Sequence, residues 1–382
     1  MNRIDLDKNF CCGCAACANI CTHDAITMTE DKRGFILPEI DVNKCVECGL
    51  CVKVCDFKKE KRTENNTLHA YSLIHNDNLT VRNSTSGGAF TALSDVVLEE
   101  GGLVVGAVME DDFTIHHIIT KDPIMRNKMR GSKYVQSAME KIYGVIKQSL
   151  KDGKTVLFTG TPCQCAGIKS FFRDKYENLL IVDFLCHGVP NNKMFKEHIA
   201  FLEKQYDKRI VGYTFRDKRY GWNAYNNNNN NNADGSIGTR LINQAYYNFF
   251  LSNLSLRDSC FNCKYRSFHK PSDVTIADFW GIEKLTGKKN HTGVSMVLTH
   301  SSKGEMLVQK SASKCTICEY PFEQISYRIA LNSAPHSKDE DAFWRTYDED
   351  GYSSVVEKFF DNSLNKRIRY EVRKIAKKLR LC

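Results

Sequence analysis

A small α+β module followed by a larger α/β body is the architecture this 382-residue chain predicts. Three observations carry that expectation. The first sixty or so residues hold a doubled cysteine array around two short strand patterns. A polar run from Lys58 to Thr67 then separates them from the rest of the chain. Beyond Leu68, short apolar runs alternate with stretches of helical periodicity, the pattern of a sheet wound with crossover helices. With 42% apolar and 26% charged residues, the chain has the composition of a globular protein with a sizeable core. The expected division is a module at 1–60, a linker at 61–67, a body in two parts at 68–150 and 151–330, and a helical tail at 331–382.

The module is the most specific part. Cys11-x2-Cys14-x2-Cys17-x3-Cys21 is followed by Cys45-x2-Cys48-x2-Cys51-x3-Cys55, with no slip in the spacing. Three thiolates in one tight loop cap three corners of an iron–sulfur cubane, and the fourth cysteine of each array reaches the other cluster. The pattern therefore assigns Cys11, Cys14, Cys17 and Cys55 to one [4Fe-4S] cluster, and Cys45, Cys48, Cys51 and Cys21 to a second. A zinc site needs only four ligands and does not normally repeat this spacing. Thr22 and Asp56 stand where a proline commonly follows the fourth cysteine. Cys12 has no place in the array and reads as a spare buried thiol. Between the arrays, Ala25–Met28 and Gly34–Leu37 read as two strands around the turn Glu30–Gly34, ending at Pro38. The module is thus ferredoxin-like.

In the body we expect strands at His69–Ile74, Leu103–Met109, Val156–Thr159 and Leu179–Leu185. Helices are expected at Gly88–Glu99, through most of Tyr134–Lys151, and from about Gln164 to Phe172. Cys163 and Cys186 each follow a strand. A right-handed crossover makes those strands parallel, so both cysteines emerge on one edge of the sheet, where open α/β sheets place ligands. Cys260-x2-Cys263 adds two more thiols, and the four suit a third [4Fe-4S] cluster. Zinc, a redox dithiol, a reactive Cys163 thiolate at a helix N-terminus and purely structural roles remain alternatives at this point. Cys165 is a weaker ligand candidate, Cys315-x2-Cys318 lacks a second cysteine pair, and terminal Cys382 reads as incidental.

One-electron clusters exchange electrons with a hydride donor through a group such as a flavin, FAD or FMN. Two loops are candidate cradles. Arg82-Asn83-Ser84-Thr85-Ser86-Gly87-Gly88 precedes a helix and offers backbone and hydroxyl donors to a phosphate, although a simple helix cap reads the same way. In Arg130-Gly131-Ser132-Lys133-Tyr134, Lys133 offers a charge and Tyr134 a stacking face. Neither a GxGxxG fingerprint nor a Walker motif is present, so the sequence supports neither a nicotinamide-binding Rossmann domain nor a nucleotide hydrolase.

These residues resemble a known family, the beta subunit of coenzyme F420 hydrogenase/dehydrogenase in the form with an N-terminal ferredoxin domain. The resemblance rests on Ser84–Gly88, Gly131–Tyr134, Thr159–Gln164, Cys186–Pro190, Phe215–Lys218, Cys260-x2-Cys263 and Ser272–Gly281, in family order from about Leu68 to Gly281. It implies an FAD-binding α/β domain, a further [4Fe-4S] cluster beside the flavin, and hydride exchange with the deazaflavin coenzyme. Carried over, it makes Cys163, Cys186, Cys260 and Cys263 the third cluster's ligands. It likewise makes Ser86, Gly87, Gly88, Ser132, Lys133 and Thr161 the flavin-site candidates. The family extends to bacteria that lack the deazaflavin, often among surface-polysaccharide genes, so membership leaves the donor open. Asn226 to Asn232, seven consecutive asparagines, suit a disordered loop.

The formal charge of +9 counts every thiol as neutral. Three clusters would each bring about −2, leaving roughly +3, so the charge is no argument for nucleic acid. The opening Met1–Phe10 lacks a signal-peptide core, and the clustered cysteines of a long chain read as metal ligands, so a reducing, cytoplasmic setting is expected. From Lys366 to Arg380 eight basic residues surround an apolar row of Ile368, Val372, Ile375 and Leu379. Such a helix either packs on its own domain, lies on an anionic membrane, or docks an acidic partner. The functional expectation is a flavin-dependent iron–sulfur oxidoreductase taking electrons from a small hydride donor or passing them to a redox partner protein, in either direction. The alternatives are a non-enzymatic electron carrier or iron–sulfur sensor, and a reductase supporting polysaccharide synthesis.

Overall fold

The structure, a computed structural model, describes residues 8–139, 141–218, 221–222, 229–232, 235–238, 240–329 and 332–378. In the module, β1 (Ile26–Glu30) and β2 (Ile36–Ile40) pair antiparallel, Ile26 opposite Ile40. Pro38 lies inside β2 instead of ending it. A two-stranded ribbon leaves one hydrogen-bonding side of each strand open, so a missing N–H is tolerated there. Short helices Ala16–Ile20 and Leu50–Val54 follow the cysteine loops. The backbone repeats as closely as the sequence. Gly13 and Glu47 have φ of 63° and 52°, and Ala15 and Gly49 have φ of 62° and 74°. A buried alanine held in the left-handed region is costly, and the recurrence of that conformation at the matching position of both arrays marks a loop wound to a required shape.

In chain order the body contributes β3 (His69–His75), β4 (Leu103–Met109), β5 (Ile115–Thr120), β6 (Val156–Gly160), β7 (Leu179–Phe184), β8 (Ile210–Thr214), β9 (Asn229–Asn232), β10 (Gly235–Gly238), β11 (Val274–Asp278), β12 (Ser295–Thr299) and β13 (Cys315–Glu319). Eight of these form one mixed sheet in the order β13-β3-β12-β11-β7-β6-β4-β5. Its centre, β4, β6, β7 and β11, is parallel. Those strands read as near-continuous apolar runs because helices cover both faces. Helix Pro162–Phe172 starts where it does because Thr161 and Gln164 form a capping box and Pro162 occupies the first turn.

Three expectations change. Only Ile142–Lys151 of the stretch from Tyr134 is helical. Residues 134–139 run as a loop whose amides serve neighbours: Gln136 Oε1 accepts from Ile36 N at 2.8 Å, and its Nε2 donates to Ile36 O at 3.0 Å. The asparagine run is not wholly irregular, since Asn229–Asn232 pairs with β8 and β10; Asn226–Asn228 lie outside the described residues. Strand pairing uses backbone groups, which any side chain supplies. Helix Glu340–Phe359 is part of the core and not of a tail. Its Phe343, Trp344 and Tyr352 pack with Phe195, Tyr246 and Phe249, and Phe35 from the module reaches Trp344 at 6.2 Å between ring centroids. Among the described residues no helix is long and apolar enough to cross a membrane.

That aromatic core encloses His198, which meets Tyr352 Oη at 2.9 Å. Burial depresses its pKa from 6.5 to about 3. Below about pH 6.5 the unfolded chain takes a proton that the folded chain refuses, so this contribution is complete above pH 6.5 and is lost as pH falls toward 3. Between pH 6.5 and 5 the loss amounts to about 2 kcal/mol. Denaturant unfolding followed at several pH values should show a shallower acid limb in His198→Gln, by about one proton; an unchanged slope would remove His198 from the account.

Candidate redox centre and adjoining cleft

The parallel strands end on one edge, and the cysteines gather there. Cys163 lies in the first turn of the helix after β6, and Cys186 stands two residues past β7. Cys260 belongs to the short helix Asp258–Phe261, and Cys263 follows it. All four line one cavity of about 480 Å³, with Arg257, Arg266, Lys270 and Arg328 around them. Arg257 and Lys270 are buried. Burial pushes the Cys260 thiol up to about 11, with Arg257 pulling the other way. Cys163 is also raised, by its contact with Cys12 and then by burial. Metal binding takes thiolates, and cations of this kind offset the charge that four thiolates and a cluster bring. The donor set is all sulfur, which suits iron–sulfur or zinc, and the fourfold cationic lining suits the larger anionic group.

In the module, Cys21, Cys45, Cys48 and Cys51 line a small recess of about 20 Å³ with Ile26 and Ile40. These are the four residues of the crossed assignment. The Cys17 thiol reaches about 12, mainly through burial and then through the nearby Cys11 and Cys55, and Cys55 also raises Cys11. Cys14 packs on Gly167 of helix Pro162–Phe172, where a Cβ would stand 2.7 Å from its sulfur. Among the described residues every cysteine is free of disulfides, and no three His, Cys, Asp or Glu side chains are arranged around a single-ion position.

Module and body are joined at the cysteines. Tyr143 Oη donates to Cys14 O at 2.7 Å. The Cys12 thiol lies 3.9 Å from Cys163 O. The Arg257 guanidinium donates to Cys12 O, to Ser259 Oγ at 2.9 Å, and toward Cys163 Sγ at 3.8 Å. One buried cation thus spans the loop of the first array and Cys163 of the cavity. The linker is pinned alongside: Ser267 Oγ donates to Arg62 O at 2.7 Å, and Asn66 Nδ2 to Lys270 O at 3.0 Å.

A second cavity, about 260 Å³, opens on the other side of the Cys186 loop. Ser86, Gly88, Ser132, Lys133 and Thr161 line it, and Gly87 is packed behind them. The two loops singled out in the sequence form one wall, because Ser132 N donates to Thr85 Oγ1 at 2.9 Å and the two hydroxyls are 3.2 Å apart. Gly87 N donates to Ser295 Oγ at 2.9 Å. Gly88, at φ 94°, precedes helix Ala89–Glu99, and no side chain of its own caps the helix there. Lys218 Nζ holds the loop from behind, donating to Val81 O at 2.7 Å and to Ser86 O. A Cβ on Gly87 would meet Leu73 O and would stand 2.6 Å from Ser295 N. Gly87→Ala is therefore expected to cost about 1–3 kcal/mol. Thermal unfolding would register it, and a wild-type midpoint would contradict this packing.

Two candidate residues do other jobs as well. The Thr161 hydroxyl caps its helix and lies 3.1 Å from Cys163 Sγ. The Lys133 ammonium bonds the carbonyls of Met129, Arg130 and Gly131 at 3.2 to 3.3 Å, and burial lowers its pKa to about 8. Further polar residues line the cleft, of which only His117 lies outside the loops and motifs read in the sequence. Arg130 Nε, His117 Nδ1 and His187 Nε2 are buried without a hydrogen-bond partner, while His117 Nε2 meets Thr159 O at 3.0 Å. Three such polar atoms around one cleft fit a polar ligand there. Arg257 was missed too; its only sequence signal is an arginine three residues before the CxxC. Cys315 and Cys318 lie on β13 at an odd spacing, one buried and one exposed, so they face opposite sides of the strand and form no joint site.

Comparison with known families bears directly on this arrangement. Residues 153–324 match the family model for the C terminus of the beta subunit of coenzyme F420 hydrogenase/dehydrogenase. Over that span the chain is similar to this family. Residues 10–59 match the 4Fe-4S dicluster domain. The F420 hydrogenase/dehydrogenase match takes in Cys163, Cys186, Cys260 and Cys263, and the dicluster match takes in all eight cysteines of the arrays. This F420 hydrogenase/dehydrogenase relative is an iron–sulfur protein of an oxidoreductase family. No curated protein matches the chain. Among solved structures, the F420-reducing [NiFe] hydrogenase complex from Methanosarcina barkeri contains a chain similar to this one, at 15% identity and a TM-score of 0.48, over 79% of this chain and 95% of that one.

Proposed function

We propose that the protein is a flavin-dependent oxidoreductase that exchanges hydride with a small donor and conducts single electrons between that cleft and its surface through three [4Fe-4S] clusters. The carrying observation is a shared wall. Leu185 to Val189, Ala277 and Asp278 line both the four-cysteine cavity and the cleft. A group in the cleft and a cluster in the cavity would be separated by little more than one loop. When bound, a flavin supplies two-electron exchange on one side and one-electron transfer on the other.

The chain's own residues divide the remaining work. Ser86, Gly88 and the helix start, which has no cap side chain of its own, offer donors to a phosphate, and Ser132 and Arg130 extend the same wall. Lys218 keeps the Ser86 loop in place. His117 stacks on Phe158 at 5.4 Å between centroids and is held neutral, its pKa lowered to about 4 by burial, so it presents a hydrogen-bonding nitrogen and no charge. Asp278 anchors the shared wall by accepting from Arg216 and Trp222, both at 2.9 Å. Cys163, Cys186, Cys260 and Cys263 would hold the inner cluster, and the two module clusters would lead outward through Cys11 and its partners.

The test is anaerobic reduction of purified protein by reduced deazaflavin, NAD(P)H or reduced ferredoxin in turn. One donor should bleach a bound flavin and then bring up the paramagnetic signals of reduced clusters. Protein saturated with iron that neither contains nor takes up FAD or FMN would instead be a carrier or sensor.

A further inference from the structure

The last helix, Leu364–Lys378, touches the body through one side only. Gln244 Nε2 donates to Tyr370 Oη at 3.4 Å, and Tyr370, Glu371, Lys374 and Ala376 are the half-buried positions there. Leu364, Ile368, Val372 and Ile375 are 64%, 53%, 60% and 55% exposed. Their 4-4-3 spacing lines them along one stripe of the helix, turned away from the body. A helix that packed on its own domain would bury that stripe, so the alternative of simple self-packing is set aside. Across the same 15 residues stand seven cations, Lys366, Arg367, Arg369, Arg373, Lys374, Lys377 and Lys378, against the single acid Glu371. Arg367, Arg369 and Arg373 are exposed.

We propose that this helix docks the protein on an anionic lipid surface, its aliphatic stripe entering the interface and its arginines and lysines meeting the headgroups. The charge identifies the occupant. A second copy of the chain would bring the same seven cations against these seven. A protein partner is usually gripped by tryptophan or tyrosine anchors, and the stripe holds none, only leucine, isoleucine and valine. A row of cations running the length of an amphipathic helix is complementary to a surface that is negative everywhere, and attraction to it is additive along the helix. The docking is peripheral and reversible, and it is independent of what the redox sites hold.

The full-length protein should sediment with vesicles of phosphatidylcholine containing about 30% phosphatidylglycerol and at least about tenfold less with pure phosphatidylcholine vesicles. Raising salt to about 0.5 M should release most of it. Ile368→Glu with Val372→Glu should abolish sedimentation while leaving iron content and thermal unfolding unchanged, since neither side chain is in the core. Equal binding to both vesicle types, or binding unaffected by the double substitution, would overturn the proposal. So would a concentration-dependent dimer that the double substitution dissolves in protein that binds no vesicles.

Discussion

Cys260→Ala combined with Cys263→Ala is expected to lower the iron content from about twelve to about eight atoms per chain, leaving the module clusters in place. The two thiols line the four-cysteine cavity and belong to neither array. The same variant should still bind flavin, because the cleft is walled off by the Cys186 loop and uses neither residue. Its flavin, once reduced, should pass electrons to the module clusters at least a hundredfold more slowly. By contrast, Cys48→Ser, at an exposed cysteine of the module recess, should remove four other irons and spare flavin-to-cluster transfer within the body. Iron analysis, flavin absorbance and freeze-quench spectroscopy separate these results. Loss of all iron in the first variant would mean that the cysteines hold the fold together and do not hold a cluster of their own.

The second large effect concerns Arg257. Its guanidinium is buried, and it contacts the Cys12 carbonyl and faces Cys163 and Cys260. Reducing a cluster adds a negative charge, and a buried positive charge beside it favours the reduced state. Arg257→Gln removes the charge and should lower the inner cluster's reduction potential by on the order of 100 mV, about 2 kcal/mol for one electron. Arg257→Lys keeps the charge but loses the fork that reaches Cys12 and Ser259 together, so it should recover much of the potential and less of the stability. A redox titration followed by electron paramagnetic resonance reads the first effect directly. An unshifted potential in Arg257→Gln would reduce the residue to a packing role.

The parts legible in the sequence were those that covalent chemistry or backbone sterics fix locally. Eight cysteines at repeated spacing need no tertiary context, and neither does the strand-to-helix turn that places Cys163 at a capping box. Cys186 on the same edge followed from the handedness of crossovers. What stayed hidden depends on long-range packing. Residues 134–139 have helix-compatible side chains, but Gln136 is taken by β2 of the module, and that bond wins over propensity. Arg257 looks like a solvated surface cation until the fold buries it, and Arg130 until the fold covers its Nε. Cys12 reads as spare in the array and turns out to sit against Cys163, a contact between residues 151 positions apart. The exposed stripe of the last helix was ambiguous for the opposite reason: periodicity gives an apolar face but not what lies opposite it.

The central claim is a continuous redox path, two clusters in the module and one in the body leading to a flavin cleft. Anaerobic purification followed by iron, sulfide, zinc and flavin analysis tests it most directly. The account predicts about twelve irons, about twelve sulfides, one flavin and no zinc per chain. Eight irons with one zinc, or twelve irons in protein that takes up no flavin, would contradict it.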